Sequence, residues 1–166
     1  MGALGEQKDL TEDIKKIIIC SIYSNDYLFD QFVLKGGNAI AIIHNKKIRK
    51  SIDVDFSISS DFPGGLVALE KQLYSSLSQG FNEANYHFFD FKIKETPKAI
   101  SGEMKDFWGG YSVDFKIIDL EKYKNLQTDP DTKDLLEVLR RNALSVHGST
   151  KIEIDISKHE DDSNKI

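Results

Sequence analysis

Residues 51–59 read SIDVDFSIS, a stretch that alternates strictly between polar and apolar side chains. Its apolar residues fall on one face, and Asp53 and Asp55 fall on the other. A period of two is typical of a β-strand with one buried face. We therefore expect a strand here, with the two aspartates on the same face and about 7 Å apart along the chain.

The same alternation returns in residues 151–157, KIEIDIS, which place Glu153 and Asp155 on one face of a second strand. Aromatic-rich stretches at 85–94 and 111–118 indicate an antiparallel pair of strands. Apolar residues at helical spacing predict helices from about Leu10 to Ile22, over 39–43, from Leu66 to an end at Gly80, and over 135–144. This mixture predicts an α+β fold, with a mixed or antiparallel sheet flanked by helices.

The composition is that of one globular domain. The 166 residues include 22 Lys and Arg against 27 Asp and Glu, a net charge of −5, which argues against a protein that coats nucleic acid by bulk charge. The single cysteine, Cys20, excludes an internal disulfide and predicts a cytoplasmic location.

We expect a flexible arm over 1–10, a core domain over 11–158 and a frayed tail over 159–166. No apolar run is long enough to cross a membrane, so no membrane partner is expected.

Asp53 and Asp55 form the first candidate site. Two like charges about 4 Å apart repel by about 4 kcal/mol at an effective dielectric constant near 20, and a divalent cation between them removes that cost. Oxygen ligands without a nearby Cys or His favour Mg²⁺ or Mn²⁺. The structural alternative is a solvated strand face, and an isolated Asp-x-Asp pattern favours that alternative.

Gly36 and Gly37 form the second candidate site. Two glycines before a helix that Asn38 can cap would expose backbone N–H groups to a phosphate. A plain turn is the alternative, and neither a P-loop nor a GxGxxG motif is present to exclude it.

The order and identity of the residues across the whole region favour a functional site over a solvated strand face and a plain turn. Residues 34–40, LKGGNAI, followed by 49–56, RKSIDVDF, closely resemble the signature of the AbiEii/AbiGii-toxin family of nucleotidyltransferases, a branch of the DNA polymerase β-like superfamily. The family pattern is similar to L-K-G-G-T-A-L and then R-x-S-x-D-[IL]-D-F, and Asn38 stands where the family usually has Thr. Three later segments also resemble a subgroup of the family: 110–118, 139–143 and 152–160.

The resemblance implies a metal site of three carboxylates. Asp53 and Asp55 would be the first two catalytic metal ligands, and a neighbouring strand would supply the third. Asp155 is our choice because it matches the family's I-D-I-S segment, and Glu153 on the same face is the second choice. Asp114 is a weaker candidate, for which a solvent-facing strand position is the better interpretation.

The resemblance also implies a nucleotide site formed by the segment that precedes the Asp-x-Asp strand. Gly36 and Gly37 would bind the triphosphate, and Asn38 would cap the helix that follows. Arg49 and Ser51 would steady the phosphates or their loop.

The implied activity is transfer of a nucleoside monophosphate from a nucleoside triphosphate to a hydroxyl acceptor, with RNA such as tRNA as one acceptor class. The implied role is the toxin of a bacterial toxin–antitoxin or phage-defence (abortive infection) system, with a cognate antitoxin as partner. Family members usually continue into a helical C-terminal half that this sequence lacks. The alternative is therefore a truncated or degenerate module that binds nucleotide or a partner without activity of its own. A plain α+β domain with an acidic strand face is a third reading.

Overall fold

The computed structural model describes residues 3–35, 52–59, 62–96 and 107–159. Its helices are α1 (Ala3–Tyr23), α2 (Asp26–Gln31), α3 (Gly65–Glu83), α4 (Leu120–Thr128) and α5 (Leu135–Arg141). Its strands are β1 (Val33–Leu34), β2 (Ile52–Ile58), β3 (Tyr86–Thr96), β4 (Phe107–Asp119) and β5 (Ile152–His159).

These strands form one mixed sheet in the order β1-β2-β5-β4-β3. Strand β5 lies between β2, to which it is parallel, and β4, to which it is antiparallel. The β1–β2 and β3–β4 pairs are antiparallel. The predicted α+β fold, with a mixed sheet flanked by helices, is confirmed.

One face of the sheet forms the main hydrophobic core with α1 and α3. Strand β2 alternates buried and half-buried residues along its whole length, as its sequence predicts. Burying such a face is the main favourable contribution to folding. The side chains that meet in this core include Ile14, Ile18 and Ile22 of α1, Leu69, Leu73 and Leu77 of α3, Val54 and Phe56 of β2, Phe115 of β4 and Ile154 of β5.

Three helix boundaries differ from the sequence prediction, and one of them is the end of α5, which lies at Arg141 and not near Leu144. Helix α1 begins at Ala3, earlier than the predicted start near Leu10, and residues 3–10, ALGEQKDL, are rich in strong helix formers. Helix α3 continues to Glu83 and does not end at Gly80. Gly80 instead permits close approach of the two helices, because a Cβ atom there would overlap Ser21 Oγ of α1.

Helices α4 and α5 pack on the opposite face, against one end of the β3–β4 pair. A small apolar cluster joins them to that end of the sheet. Its buried members are Phe89, Ile118 and Leu139. The cluster lies beside Asp90, a left-handed residue at the irregularity of β3. The predicted helix over 39–43 lies outside the described residues.

Candidate active site

The parallel pairing of β2 with β5 brings aspartates from two distant parts of the chain together. Asp55 is directly opposite Asp155 in this pairing, and Asp53 lies one side-chain repeat away on the same face. Paired strands are about 4.8 Å apart, so opposed side chains on one face are immediate neighbours. Carboxylate oxygens of Asp53, Asp55 and Asp155 all lie within 4.8 Å of one another.

The buried residues between these aspartates fix the direction of their side chains. Val54 is 1% exposed and Ile154 is fully buried, both on the core face. Since neighbouring residues of a strand point to opposite faces, burial of Val54 and Ile154 holds Asp53, Asp55 and Asp155 on the other face.

The electrostatic state of Asp155 reflects this crowding. Burial raises the pKa of Asp155 above its ordinary value, and the negative charges of Asp55 and Glu153 raise it further. A hydrogen bond shared with Asp53 and the positive charge of Lys35 act in the opposite direction. The protein alone therefore does not fully stabilise the charge of Asp155, and a bound cation would.

These three carboxylates fit a divalent cation of the Mg²⁺ type. The donors are all oxygen, which is the ligand chemistry that Mg²⁺ and Mn²⁺ prefer. Two oxygens bound to one Mg²⁺ at about 2.0–2.1 Å are about 3–4 Å apart. The three carboxylate oxygens lie within 4.8 Å of one another, which is close enough for one ion to contact all three after small side-chain rotations.

The other two acidic candidates lie in the neighbouring row. Glu153 is opposite Asp53 on one side and Asp114 on the other. The Glu153 carboxylate pairs with Lys151 Nζ at 3.2 Å, and neither Glu153 nor Asp114 belongs to the group of three. Of the three candidates for the third carboxylate, Asp155 is the one that the fold brings to Asp53 and Asp55.

The fold and the carboxylate group agree with the family comparison. The model of a family described as nucleotidyl transferase AbiEii toxin, type IV TA system, matches residues 17–160. The chain belongs to this family. No curated protein and no solved structure was found to match the chain. Among the described residues of this AbiEii-family chain, no helix combines the length and apolar character of a membrane span.

The predicted nucleotide-binding residues of this AbiEii-family chain cannot be placed in the same way. Gly36, Gly37, Asn38, Arg49 and Ser51 all lie outside the described residues, so their roles stay predictions.

Sequence reasoning missed Lys35, which lies beside the three carboxylates. Its backbone N–H donates to the carbonyl of Asp55 at 3.1 Å, and its Nζ lies 3.4 Å from Ser157 Oγ on β5. The sequence feature that could have indicated Lys35 is its position directly before Gly36. Strand β1 has only two residues, which are too few for alternation to predict a strand there.

Proposed function

We propose that this chain is a metal-dependent nucleotidyltransferase that moves a nucleoside monophosphate from a nucleoside triphosphate to a hydroxyl acceptor. Asp53, Asp55 and Asp155 would hold Mg²⁺ or Mn²⁺. The observation that carries the proposal is the meeting of these carboxylates within 4.8 Å on the β2–β5 pair, in a chain of the nucleotidyl transferase AbiEii toxin family.

The proposed reaction is an in-line displacement at the α-phosphorus. The acceptor oxygen forms a bond to this phosphorus, the bond to the bridging oxygen breaks, and pyrophosphate leaves with the bond's electrons while the hydroxyl proton passes to water. A divalent cation supplies neutralisation of the negative charge on the phosphates. The carboxylates contribute by position, since a site already held in place needs little reorganisation during the reaction.

The glycine pair is proposed to bind the phosphates. Backbone N–H groups of Gly36 and Gly37, at a helix start capped by Asn38, would donate to phosphate oxygens. Arg49 and Ser51 are proposed to steady the same phosphates, since guanidinium and hydroxyl groups are good partners for them. These residues are adjacent in sequence to the ends of β1 and β2, which approach the carboxylates.

The family description, a nucleotidyl transferase toxin of a type IV toxin–antitoxin system, supports a proposal for the biological role. We propose a cognate antitoxin as partner and RNA as the acceptor class, in an abortive-infection or similar response. The cytoplasmic location stays a prediction.

The first experiment tests the site by thermal unfolding with Mg²⁺ and each of the four ribonucleoside triphosphates. We expect the melting temperature of the wild type to rise, and we expect no rise in the variant that combines Asp53→Asn with Asp55→Asn. Asn keeps the shape of Asp and removes the charge that binds the cation. Asp131→Asn, an exposed position outside the site, is the matched control and should behave as the wild type. An equal rise in the wild type and the double variant would contradict the proposal.

The second experiment tests transfer itself. Triphosphates labelled at the α-phosphate are incubated with the protein and total RNA, and label in RNA is measured with and without EDTA. Incorporation that requires Asp55 and disappears with EDTA supports the enzyme. Carboxylate-dependent binding without incorporation into RNA or protein would support the alternative, a nucleotide-binding module.

A further inference from the structure

Lys35 lies in the same row of side chains as the aspartates. Strand β1 pairs with β2 so that Leu34 is opposite Phe56, and the hydrogen bond from the Lys35 N–H to the carbonyl of Asp55 continues this pairing by one residue. Directly opposed residues of antiparallel strands project from the same face. Lys35 is therefore on the carboxylate face, in one row with Asp55 and Asp155.

The Lys35 side chain extends from the edge of the sheet across β2. Its Nζ reaches Ser157 Oγ on β5 at 3.4 Å, and Ser157 is two residues beyond Asp155 on the same face. The half-buried side chain thus places a positive charge beside the carboxylates.

The partner of this ammonium group is weak. A hydroxyl at 3.4 Å is at the long limit of a hydrogen bond and carries no charge. Lys116 on the same sheet face shows the contrast, with its Nζ 2.8 Å from the Asp90 carboxylate. Among the described residues, no carboxylate oxygen forms an ion pair with Lys35 Nζ. An ammonium group has three N–H donors, so Lys35 can still take stronger anionic acceptors.

We propose that Lys35 binds the triphosphate of the nucleotide through its β- and γ-phosphate oxygens, and that its charge stabilises the pyrophosphate as it leaves. This inference rests on the proposed function and adds a phosphate-binding residue to that site. Three features support it: the ammonium lies beside the carboxylates, its present acceptor is neutral, and Lys35 directly precedes Gly36 in sequence. A phosphate oxygen is a charged acceptor, and such hydrogen bonds are roughly twice as strong as neutral ones.

The competing explanation is structural. Lys35 would then serve as a permanent counter-ion that keeps the carboxylates together. The two roles differ in what is lost when the charge is removed. A phosphate-binding lysine is needed for the polyphosphate, whereas a counter-ion is needed for the fold and for the arrangement that binds the metal.

The experiment measures two affinities by titration calorimetry: that for Mn²⁺ alone and that for tripolyphosphate with saturating Mn²⁺. Tripolyphosphate carries the phosphate chain without a base, so the unknown base preference does not affect the result. The variants are Lys35→Met and Lys35→Arg. Lys71→Met, an exposed position on α3, makes the same charge change on the core side of the sheet as a control.

We expect Lys35→Met to bind Mn²⁺ as tightly as the wild type or more tightly, because a nearby positive charge is gone. We expect its affinity for tripolyphosphate to fall about 10- to 100-fold, the usual worth of a hydrogen bond to a charged group. Lys35→Arg should retain most of the affinity, and Lys71→Met should retain all of it.

Three results would overturn the proposal. Unchanged tripolyphosphate affinity in Lys35→Met, weaker Mn²⁺ binding in that variant, or a wild type that binds Mn²⁺ but no tripolyphosphate would each exclude the phosphate role. Failure of the proposed function would look different, because Mn²⁺ binding would then persist when Asp53 and Asp55 are both replaced by Asn. The wild-type titration with tripolyphosphate needs no variant, so it keeps the proposal open to contradiction should Lys35→Met fold poorly.

Discussion

Two charged groups on the same face of this sheet, one around Asp90 and one around Asp155, differ in how their negative charges are balanced. Around Asp90, one carboxylate receives Lys116 Nζ at 2.8 Å and a two-pronged contact from Arg140 at 2.9 and 3.0 Å. Around Asp155, three carboxylates lie together, and the ammonium group of Lys35, beside them, contacts the neutral hydroxyl of Ser157. Among the described residues, the Asp90 carboxylate is paired with two cationic side chains, and the three-carboxylate group is where we propose that a cation binds.

The pKa values express this difference. Hydrogen bonds from Arg140 and Lys116, with their positive charges, hold the pKa of Asp90 far below its ordinary value despite burial. Burial and neighbouring negative charges move the pKa of Asp155 upward. Opposite shifts of two aspartates on one sheet face separate a structural ion pair from a candidate ligand site.

The largest expected effect comes from Asp90→Asn. The Asp90 side chain is only 6% exposed, and loss of its charge leaves Lys116 and Arg140 without their partner. We expect the free energy of unfolding to fall by about 3 kcal/mol, the usual cost of breaking a buried pair. Urea unfolding measures this loss, and the control Asp131→Asn should show none. A loss no larger than that of the control would mean that the paired group does not stabilise the fold.

The pH dependence of the free energy of unfolding is a second measurement on Asp90→Asn. Because the folded pKa of Asp90 is lowered, its contribution is present above the unfolded value of about 3.9 and is lost as the pH falls through that value and below. The difference in stability between wild type and Asp90→Asn should therefore narrow on acidification from pH 7 to pH 3. A constant difference would show that the loss comes from packing and not from charge.

A smaller effect of opposite sign is expected for Asp155→Asn without metal. A raised folded pKa means that ionisation at neutral pH destabilises the fold, because this carboxyl favours the folded state only while protonated. Its neutral replacement should raise the free energy of unfolding in EDTA and abolish the stabilisation by Mn²⁺ that we expect for the wild type. A lower free energy of unfolding of Asp155→Asn in EDTA would mean that Asp155, like Asp90, stabilises the fold by its charge, and would contradict this prediction.

The smallest effect is expected for Lys151→Met, which breaks the pair with Glu153. Both side chains are substantially exposed, 52% and 33%, so the free energy of unfolding should change by less than about 1 kcal/mol. High salt should reduce this change further. The same variant tests Glu153 as a ligand, because Mn²⁺ affinity should stay near the wild-type value unless Glu153 binds the ion. A large gain in Mn²⁺ affinity would favour Glu153 as a metal ligand.

Sequence reasoning succeeded where the signal was local. The alternation around Asp53 and Asp55 is a property of one short segment, and it predicts both the strand and the shared face. The alternation around Asp155 does the same for β5. These two segments, the aromatic-rich pair of strands and the helical spacing of apolar residues together predict the fold class.

Other features depend on pairing between distant segments. Glu153 and Asp155 share a face, so their own strand cannot reveal which of them lies beside Asp55; only the register with β2 does. Gly80 is a common stop signal, and its actual role depends on Ser21 in another helix. The Lys35 side chain reaches the site by extending across β2 to β5. No local sequence pattern near Lys35 indicates that these strands are its neighbours. The paired group at Asp90 joins β3, β4 and α5, and the sequence offers no periodic signal for it.

The order of the strands has a consequence for biosynthesis. Among the described strands, β5 is the last in the chain, yet it occupies the centre of the sheet between β2 and β4. Because β5 connects the two halves of the sheet and carries Asp155, a growing chain on the ribosome has neither a closed sheet nor a third carboxylate until this strand emerges. Contacts between such distant segments form slowly. A nascent chain would therefore lack the complete proposed site until nearly all of the described sequence had been translated.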